Sequence, residues 1–328
     1  MIKKKSLKTF LILLTLLIIP SKVLGYSDYL IVGGENVGIK LNSKGVMIVG
    51  MYSIDNTIPA KEAGLQVGDL INSINDDKVS TVYDLSSKIS TCNDENIKIG
   101  YVRNDMQKYT NLKLYKTDNE YKTGMYIKDS ITGIGTLTFI DPNTKLFGAL
   151  GHEIIEKNTN KILDSSDGTI FKSTVTGVKE STSGNPGEKN AKLDTKSIKG
   201  TINENTTHGI FGNYTDEIPE KKLYKVANID DIKIGDASIL TVLDDNEIGE
   251  YNIEIKKINQ TSNDTKNILF EITDEKLIEK TGGIIQGMSG SPIIQGDFIV
   301  GAVTHVIIEE PTKGYGIFIT NMLEEAEN

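Results

Sequence analysis

Short apolar runs with two-residue alternation, each cut off by Gly, Pro, Asn or Asp, recur along most of this chain. Asp69-Leu70-Ile71-Asn72-Ser73-Ile74-Asn75, Gly133 to Ile140, Ile232 to Val242 and Tyr251 to Ile258 all read this way. A period of two puts successive side chains on opposite faces, so these are strands with one buried face, and a chain of many such strands closes into barrels or sandwiches. Helical spacing is confined to Ala60–Leu65, to the segment opened by the capping pair Thr81 and Asp84 with Val82, Leu85 and Ile89 behind it, and to the residues after Thr320. The 328 residues leave room for two or three domains. The single cysteine, Cys92, excludes an intrachain disulfide, so packing carries the stability.

Charge narrows the partners. Acidic residues outnumber basic ones 45 to 36, and no Lys/Arg cluster outside the N-terminus could follow a phosphate backbone, so nucleic acid is excluded as a partner. The N-terminal cluster is of another kind: Lys3, Lys4, Lys5 and Lys8 precede the apolar run Phe10–Pro20, and Val23-Leu24-Gly25 offers a small residue for cleavage. Residues 1–25 are therefore expected to be an export signal or an uncleaved anchor, which brings the chain close to a membrane. Removing them takes five lysines and no acid, and moves the net charge from −9 to −14.

Between Tyr29 and Tyr115 the elements come in the order strand, short helix, strand, helix, two strands. Pro59-Ala60-Lys61-Glu62-Ala63-Gly64-Leu65-Gln66-Val67-Gly68-Asp69-Leu70-Ile71 resembles the P-A-x-x-A-G-L-x-x-G-D-x-I stretch of PDZ domains. Val37-Gly38-Ile39 resembles their apolar-Gly-apolar carboxylate-binding loop. The resemblance implies a PDZ domain over 30–115 that takes an added peptide strand, with Val37, Gly38 and Ile39 at the peptide terminus. The same glycines lack the lysine of a P-loop and the spacing of G-x-G-x-x-G, which excludes the common nucleotide motifs.

The chemistry-bearing residues lie in the second β-rich stretch, 124–328. Gly287-Met288-Ser289-Gly290-Ser291-Pro292 sets a serine between glycines on a tight turn, where small neighbours expose Oγ and let backbone N–H groups converge. It is similar to the G-D-S-G-G-P turn of chymotrypsin-like proteases, which implies Ser289 as nucleophile with the amides of Gly287 and Ser289 as oxyanion hole. Met288 stands where that pattern has an aspartate, so activation through an ion pair to a new N-terminus is excluded. Three histidines are available as base: His152, His208 and His305. His152, after Phe147-Gly148-Ala149-Leu150-Gly151, resembles the A-A-H-C approach of the same proteases. His208 sits in a polar stretch and reads as a surface residue. Thr304, His305 and Val306 lie on the second hairpin strand after Ser289, the expected substrate-pairing strand. His152-Glu153-Ile154-Ile155-Glu156 lacks the second histidine of H-E-x-x-H, so no zinc site and no cofactor is expected. On position alone Asp164, Asp167, Asp194 and Asp274 are equal candidates for the residue that orients the imidazole. The polar, breaker-rich segment Val178–Lys189 reads as an exposed or regulatory loop.

The leader, the PDZ unit, Phe147–His152 and Thr281–Ile294, extended by Gly301–Val306 and Gly314-Tyr315-Gly316, together resemble the SpoIVB peptidases of endospore-forming bacteria over nearly the whole mature chain. The resemblance implies a mainly β fold, a PDZ domain followed by a chymotrypsin-like double β-barrel, and selects Asp274 as third member beside His152 and Ser289. It also implies an exported serine endopeptidase between the forespore and mother-cell membranes, cleaving itself and a membrane-bound regulator to release sigma-factor processing. The reading from another class is a PDZ scaffold with an inert protease-like unit. PDZ-bearing quality-control proteases of the envelope usually carry the PDZ domain after the protease, the reverse of the order here.

Overall fold

The computed structural model describes residues 25–118, 120–163, 165–260 and 265–327, so the expected leader, except Gly25, and candidate Asp164 lie outside the described residues. Two closed antiparallel barrels of six strands organise it. The first runs Asn36–Met51, Met125–Ile140, Leu146–Ala149, Gly209–Tyr214, Gly187–Thr206, Ser165–Lys179 and back to Asn36–Met51. The second runs Gly235–Val242, Ile248–Ile258, Ile268–Ile272, Lys313–Phe318, Phe298–Val306, Pro292–Gln295 and back. Closure removes the unpaired edges of each sheet and gives the alternating apolar residues an interior. Ile39, Leu41, Phe147, Ile170 and Ile202 pack in one barrel, and Ile239, Ile253, Phe270, Ile293 and Val303 in the other.

The PDZ unit does not precede this fold but interrupts it. Along Asn36–Met51, residues 36–42 pair with 130–136 and with strand 165–179 inside the first barrel. After a break in register between Asn42 and Met47, residues 47–51 pair with 125–128 outside it. Strands Leu70–Ile74, Asn96–Arg103 and Met106–Lys113 and helices Pro59–Glu62 and Val82–Ser90 complete the unit around its own core of Ile48, Leu65, Ile71, Leu85 and Ile99. The expected helix start is present as a capping box: Thr81 Oγ1 accepts the Asp84 N–H, and the Asp84 carboxylate accepts the Thr81 N–H. Asp69, buried in the motif stretch, is held by two bonds of 2.6 Å from Arg103.

Four expectations change with the observed fold. The catalytic unit is not 124–328 alone, because residues 36–42 belong to its barrel. Val37, Gly38 and Ile39 do not form a carboxylate loop: each is paired on both sides, Gly38 with Ile134 and with Phe171, so their backbones serve the barrel ladder. An apolar-Gly-apolar triplet reads the same in a loop and in a tightly packed strand, and here a Cβ on Gly38 would meet Leu193 Cδ2 at 2.6 Å. Val178–Lys189 is a loop only between its ends, since residues 178–179 end the barrel strand Ser165–Lys179 and residues 187–189 begin the barrel strand Gly187–Thr206. A short helix, Glu275–Thr281, stands where only strands were expected.

Asn42 and Ser130 face each other across the barrel ladder at the point where the chain leaves it. Replacing residues 43–129 by a two-residue Asn-Gly turn, the type that closes antiparallel hairpins, is therefore expected to leave a cooperatively folding double barrel. Loss of near-UV circular dichroism and of a cooperative melt in that chain would show that the barrel needs the insert.

Candidate active site

His152 is carried by the first barrel and Ser289 by the second, and both line one cleft of about 460 Å³. Strand Leu146–Ala149 ends in Leu150 and Gly151, both left-handed (φ 69° and 70°), which turn the chain back and present His152. The conformation costs a leucine about 1 kcal/mol, and it is held by burial of the side chain and by a bond of 3.3 Å from Leu150 N–H to Thr136 O.

The nucleophile turn is fastened to the same threonine. Thr136 N–H donates to Ser289 O at 3.0 Å, Thr136 Oγ1 donates to Gly287 O at 2.8 Å, and Thr138 Oγ1 donates to Gly290 O at 2.8 Å. Gly290 (φ 90°) lies so close that a Cβ would meet Thr136 O at 2.2 Å and Leu150 N at 2.4 Å. Only glycine permits the histidine and serine loops to approach in this way. Within the turn the amides of Met288, Gly290 and Ser291 donate to Ile285 O, Val303 O and Met288 O. Among the described residues the Ser289 amide donates to no backbone carbonyl, as an oxyanion donor requires.

His152 Nδ1 lies 2.8 Å from Glu153 O. With Nδ1 donating there, the neutral ring carries its lone pair on Nε2, the tautomer a general base needs. Ser289 Oγ donates to Thr304 O at 3.1 Å and not to the imidazole. The His305 ring stands 5.6 Å from that of His152, centroid to centroid. Thr304, His305 and Val306 lie on Phe298–Val306, and among the described residues 304–306 pair with a strand on one side only, Lys313–Phe318.

Asp274 is not brought to His152. Its carboxylate accepts the Leu277 N–H at 3.0 Å as N-cap of helix Glu275–Thr281 and the Asn252 N–H at 3.4 Å, and among the described residues no carboxylate bonds the imidazole. Of the other positional candidates, Asp167 meets Asn42, and Asp194 accepts from Ser197 and Lys196. The carbonyl of Glu153 holds the place next to Nδ1 that an aspartate was expected to take. His208 pairs with Glu325 away from the cleft.

The cleft wall is aliphatic, with Ile39, Ile131, Ile134, Leu150 and Ile154. Ile39 thus belongs to the catalytic cleft. The wall continues into the hairpin Ile155–Glu156 and Lys161–Ile162, whose turn is fixed by buried Glu156. Burial pushes the Glu156 carboxyl up, but bonds from the Thr159 amide, Lys128 and the Asn158 amide outweigh it and hold the group below the usual glutamate range. Sequence reading missed two residues. Thr136 looked like any strand threonine. Lys189, buried in the cleft, was read as part of a polar loop, although the alternation of buried Gly187 and Lys189 with exposed Glu188 and Asn190 is that of a strand. Among the described residues no cluster of three or more His, Cys, Asp or Glu could hold a metal ion.

A glycine-flanked serine and a histidine in one cleft between two closed six-stranded barrels is the arrangement of a serine peptidase. Residues 119–323 match the SpoIVB peptidase S55 family and residues 36–114 a PDZ domain. The chain belongs to the SpoIVB peptidase S55 family. Among curated proteins it is similar to the serine protease Do-like HtrA of Lactococcus lactis subsp. cremoris, 33% identical over 86 residues, which are 26% of this chain and 21% of that one. The counterpart from L. lactis subsp. lactis is 31% identical over the same shares. The match thus spans about a fifth of those relatives' length. Among solved structures the PDZ domain of the SdrC-like protein of Listeria monocytogenes is 22% identical, with 26% of this chain and 87% of that chain covered and a TM-score of 0.22. The Rv3671c protease of M. tuberculosis in its active form is 13% identical, with 60% and 74% covered and a TM-score of 0.35.

Asparagine caps helices about as well as aspartate, whereas alanine costs about 1 kcal/mol. Asp274→Asn is therefore expected to keep both the melting temperature and Ser289-dependent turnover, and Asp274→Ala to lower the melting temperature. Turnover lost in Asp274→Asn at unchanged stability would return this aspartate to the chemistry.

Proposed function

We propose that this chain is an exported serine endopeptidase of sporulation. The observation that carries the activity is the pair His152 and Ser289 on one cleft, with the serine turn and the histidine loop tied to Thr136. Ser289 Oγ leaves Thr304 O, turns toward His152 Nε2 and attacks the scissile carbonyl as the imidazole takes its proton. The amides of Ser289 and Gly287 receive the oxyanion, and His152 returns the proton to the leaving amine. Glu153 O holds the ring throughout, and 304–306 offer an edge for the substrate backbone.

The substrates of this reading are the chain itself and a membrane-bound regulator whose cleavage triggers sigma-factor processing, in the space between the forespore and mother-cell membranes. The acidic composition, the leader-like N-terminus and family membership support it. The PDZ unit is proposed as the control element. The strand Met125–Ile140 supports this, since it pairs with PDZ strand residues at Met125–Lys128 and binds the nucleophile turn through Thr136 and Thr138.

Wild-type chain incubated beside Ser289→Ala and His152→Ala is expected to yield fragments by intact mass that neither variant yields, with losses of 10³-fold or more. An equally intact wild type, also silent on Ser289→Ala chain added as substrate, would favour the inert scaffold. Excision of 43–129 is expected to leave cleavage of short peptides in place and to change self-cleavage, and unchanged self-cleavage would dismiss the PDZ unit as control.

A further inference from the structure

Lys189 is buried where a charge is expensive. It sits on the strand Gly187–Thr206 of the first barrel, 4% exposed, and lines the cleft shared by His152, Gly287 and Ser289. Its stem lies against Gly287, where a Cβ would meet Lys189 Cδ at 3.1 Å and Cβ and Cγ at 3.3 Å. Gly287 holds φ 96°, a conformation that aims the peptide entering the nucleophile turn. The amine crosses to the second barrel and donates to Thr241 Oγ1 at 2.8 Å, a residue that is itself fully buried. Among the described residues no carboxylate forms an ion pair with it. A buried amine without a counter-ion costs stability that an apolar residue of the same volume would not.

We propose that Lys189 is a positioning residue of the oxyanion turn: its stem braces Gly287, and its amine, anchored on Thr241, sets a buried cation beside the amides that receive the developing negative charge. The inference rests on the peptidase reading. Among the described residues no carboxylate pairs with this cation in the resting site, and in the transition state it acquires an anion, an interaction strengthened by the burial of the amine. The benefit is therefore confined to the transition state and appears in turnover rather than in binding. The site then needs Lys189 protonated, which produces an alkaline limb.

Burial lowers the amine from its ordinary 10.5 to about 7. The groups around it come from every wall. The facing residue on Ser165–Lys179 is Val178, with Lys179 next to it. The segment 285–287 contributes Gln286, and Gly235–Val242 contributes Thr241. The cleft adds His152, Glu153, Lys157 and Glu188. Because folding lowers this pKa, the unfolded chain keeps the proton to higher pH. The cost to stability is present below about pH 7 and fades as pH rises toward 10.5.

The test needs no known substrate. Diisopropyl fluorophosphate phosphorylates an activated serine: the Oγ–P bond forms, fluoride leaves, the serine proton passes to His152, and the phosphoryl oxygen occupies the oxyanion position. Its second-order rate at Ser289 is measured from pH 5 to 10 on the purified chain, Lys189→Met and Thr241→Val. Lys189→Met keeps a stem against Gly287 without the amine. It is expected to melt above wild type at pH 6 and to react about tenfold more slowly there, less than the loss of a direct oxyanion donor. The two rates should converge above about pH 9, where wild type has also lost its charge. Thr241→Val, which removes the acceptor of the charged amine, is expected to move the alkaline limb to lower pH. Equal rates, or a ratio independent of pH, would overturn the proposal and leave a packing lysine. Should Lys189→Met show no cooperative melt, an alkaline limb unmoved in Thr241→Val overturns it. Wild type left unlabelled at Ser289 refutes the peptidase reading itself, whereas a labelled wild type with indifferent variants refutes only the role of Lys189.

Discussion

Thr136 is the residue on which the site depends. Its amide and hydroxyl hold two carbonyls of the serine turn, and its own carbonyl holds the amide of Leu150 at the head of the histidine loop. Two catalytic loops from two barrels are thereby referred to one residue of one strand, without an ordinary loop's freedom. The arrangement requires close approach, which explains why Gly290 has no side chain and why Leu150 tolerates a left-handed backbone. Hydrogen bonds buried at this point are made in a low dielectric and lose heavily if one partner is removed, so the turn and the loop keep their geometry together.

The same strand carries the second organising constraint. Met125–Ile140 begins in the PDZ unit and ends under the nucleophile, so the insert is joined to the catalytic barrel by two paired strands rather than by a flexible linker. The register break between Asn42 and Met47 is where the pairing changes partners. The hairpin after His152 bridges the same gap from the other side, with Lys128 of this strand on buried Glu156. The strand that leaves the PDZ unit is thus the one that bonds the serine turn.

Much of this was legible in the residues. Alternation marked most strands, the Pro59–Ile71 stretch marked the PDZ unit, Thr81 with Asp84 marked a helix start, and the Gly-flanked Ser289 with the small-residue approach to His152 marked the cleft. Local patterns carry such features because capping, turns and strand faces are decided within a few residues. Three features escaped for one reason. Val37-Gly38-Ile39 and Lys189 were read from their neighbours in sequence and Asp274 was selected by the family resemblance, and neither source holds the barrel ladder, the contact between barrels or the helix cap that decided their places.

The sequence by itself determined the β architecture, the PDZ unit, the absence of a disulfide, and the histidine and serine of the site, because periodicity and backbone-permissive glycines are written residue by residue. Tertiary structure alone decided that the PDZ unit interrupts a barrel, that a carbonyl and not Asp274 faces the His152 ring, and that Lys189 lies buried beside the serine turn. These depend on which strands pair across more than a hundred residues, and the pairing energy resides in contacts that no window of sequence contains.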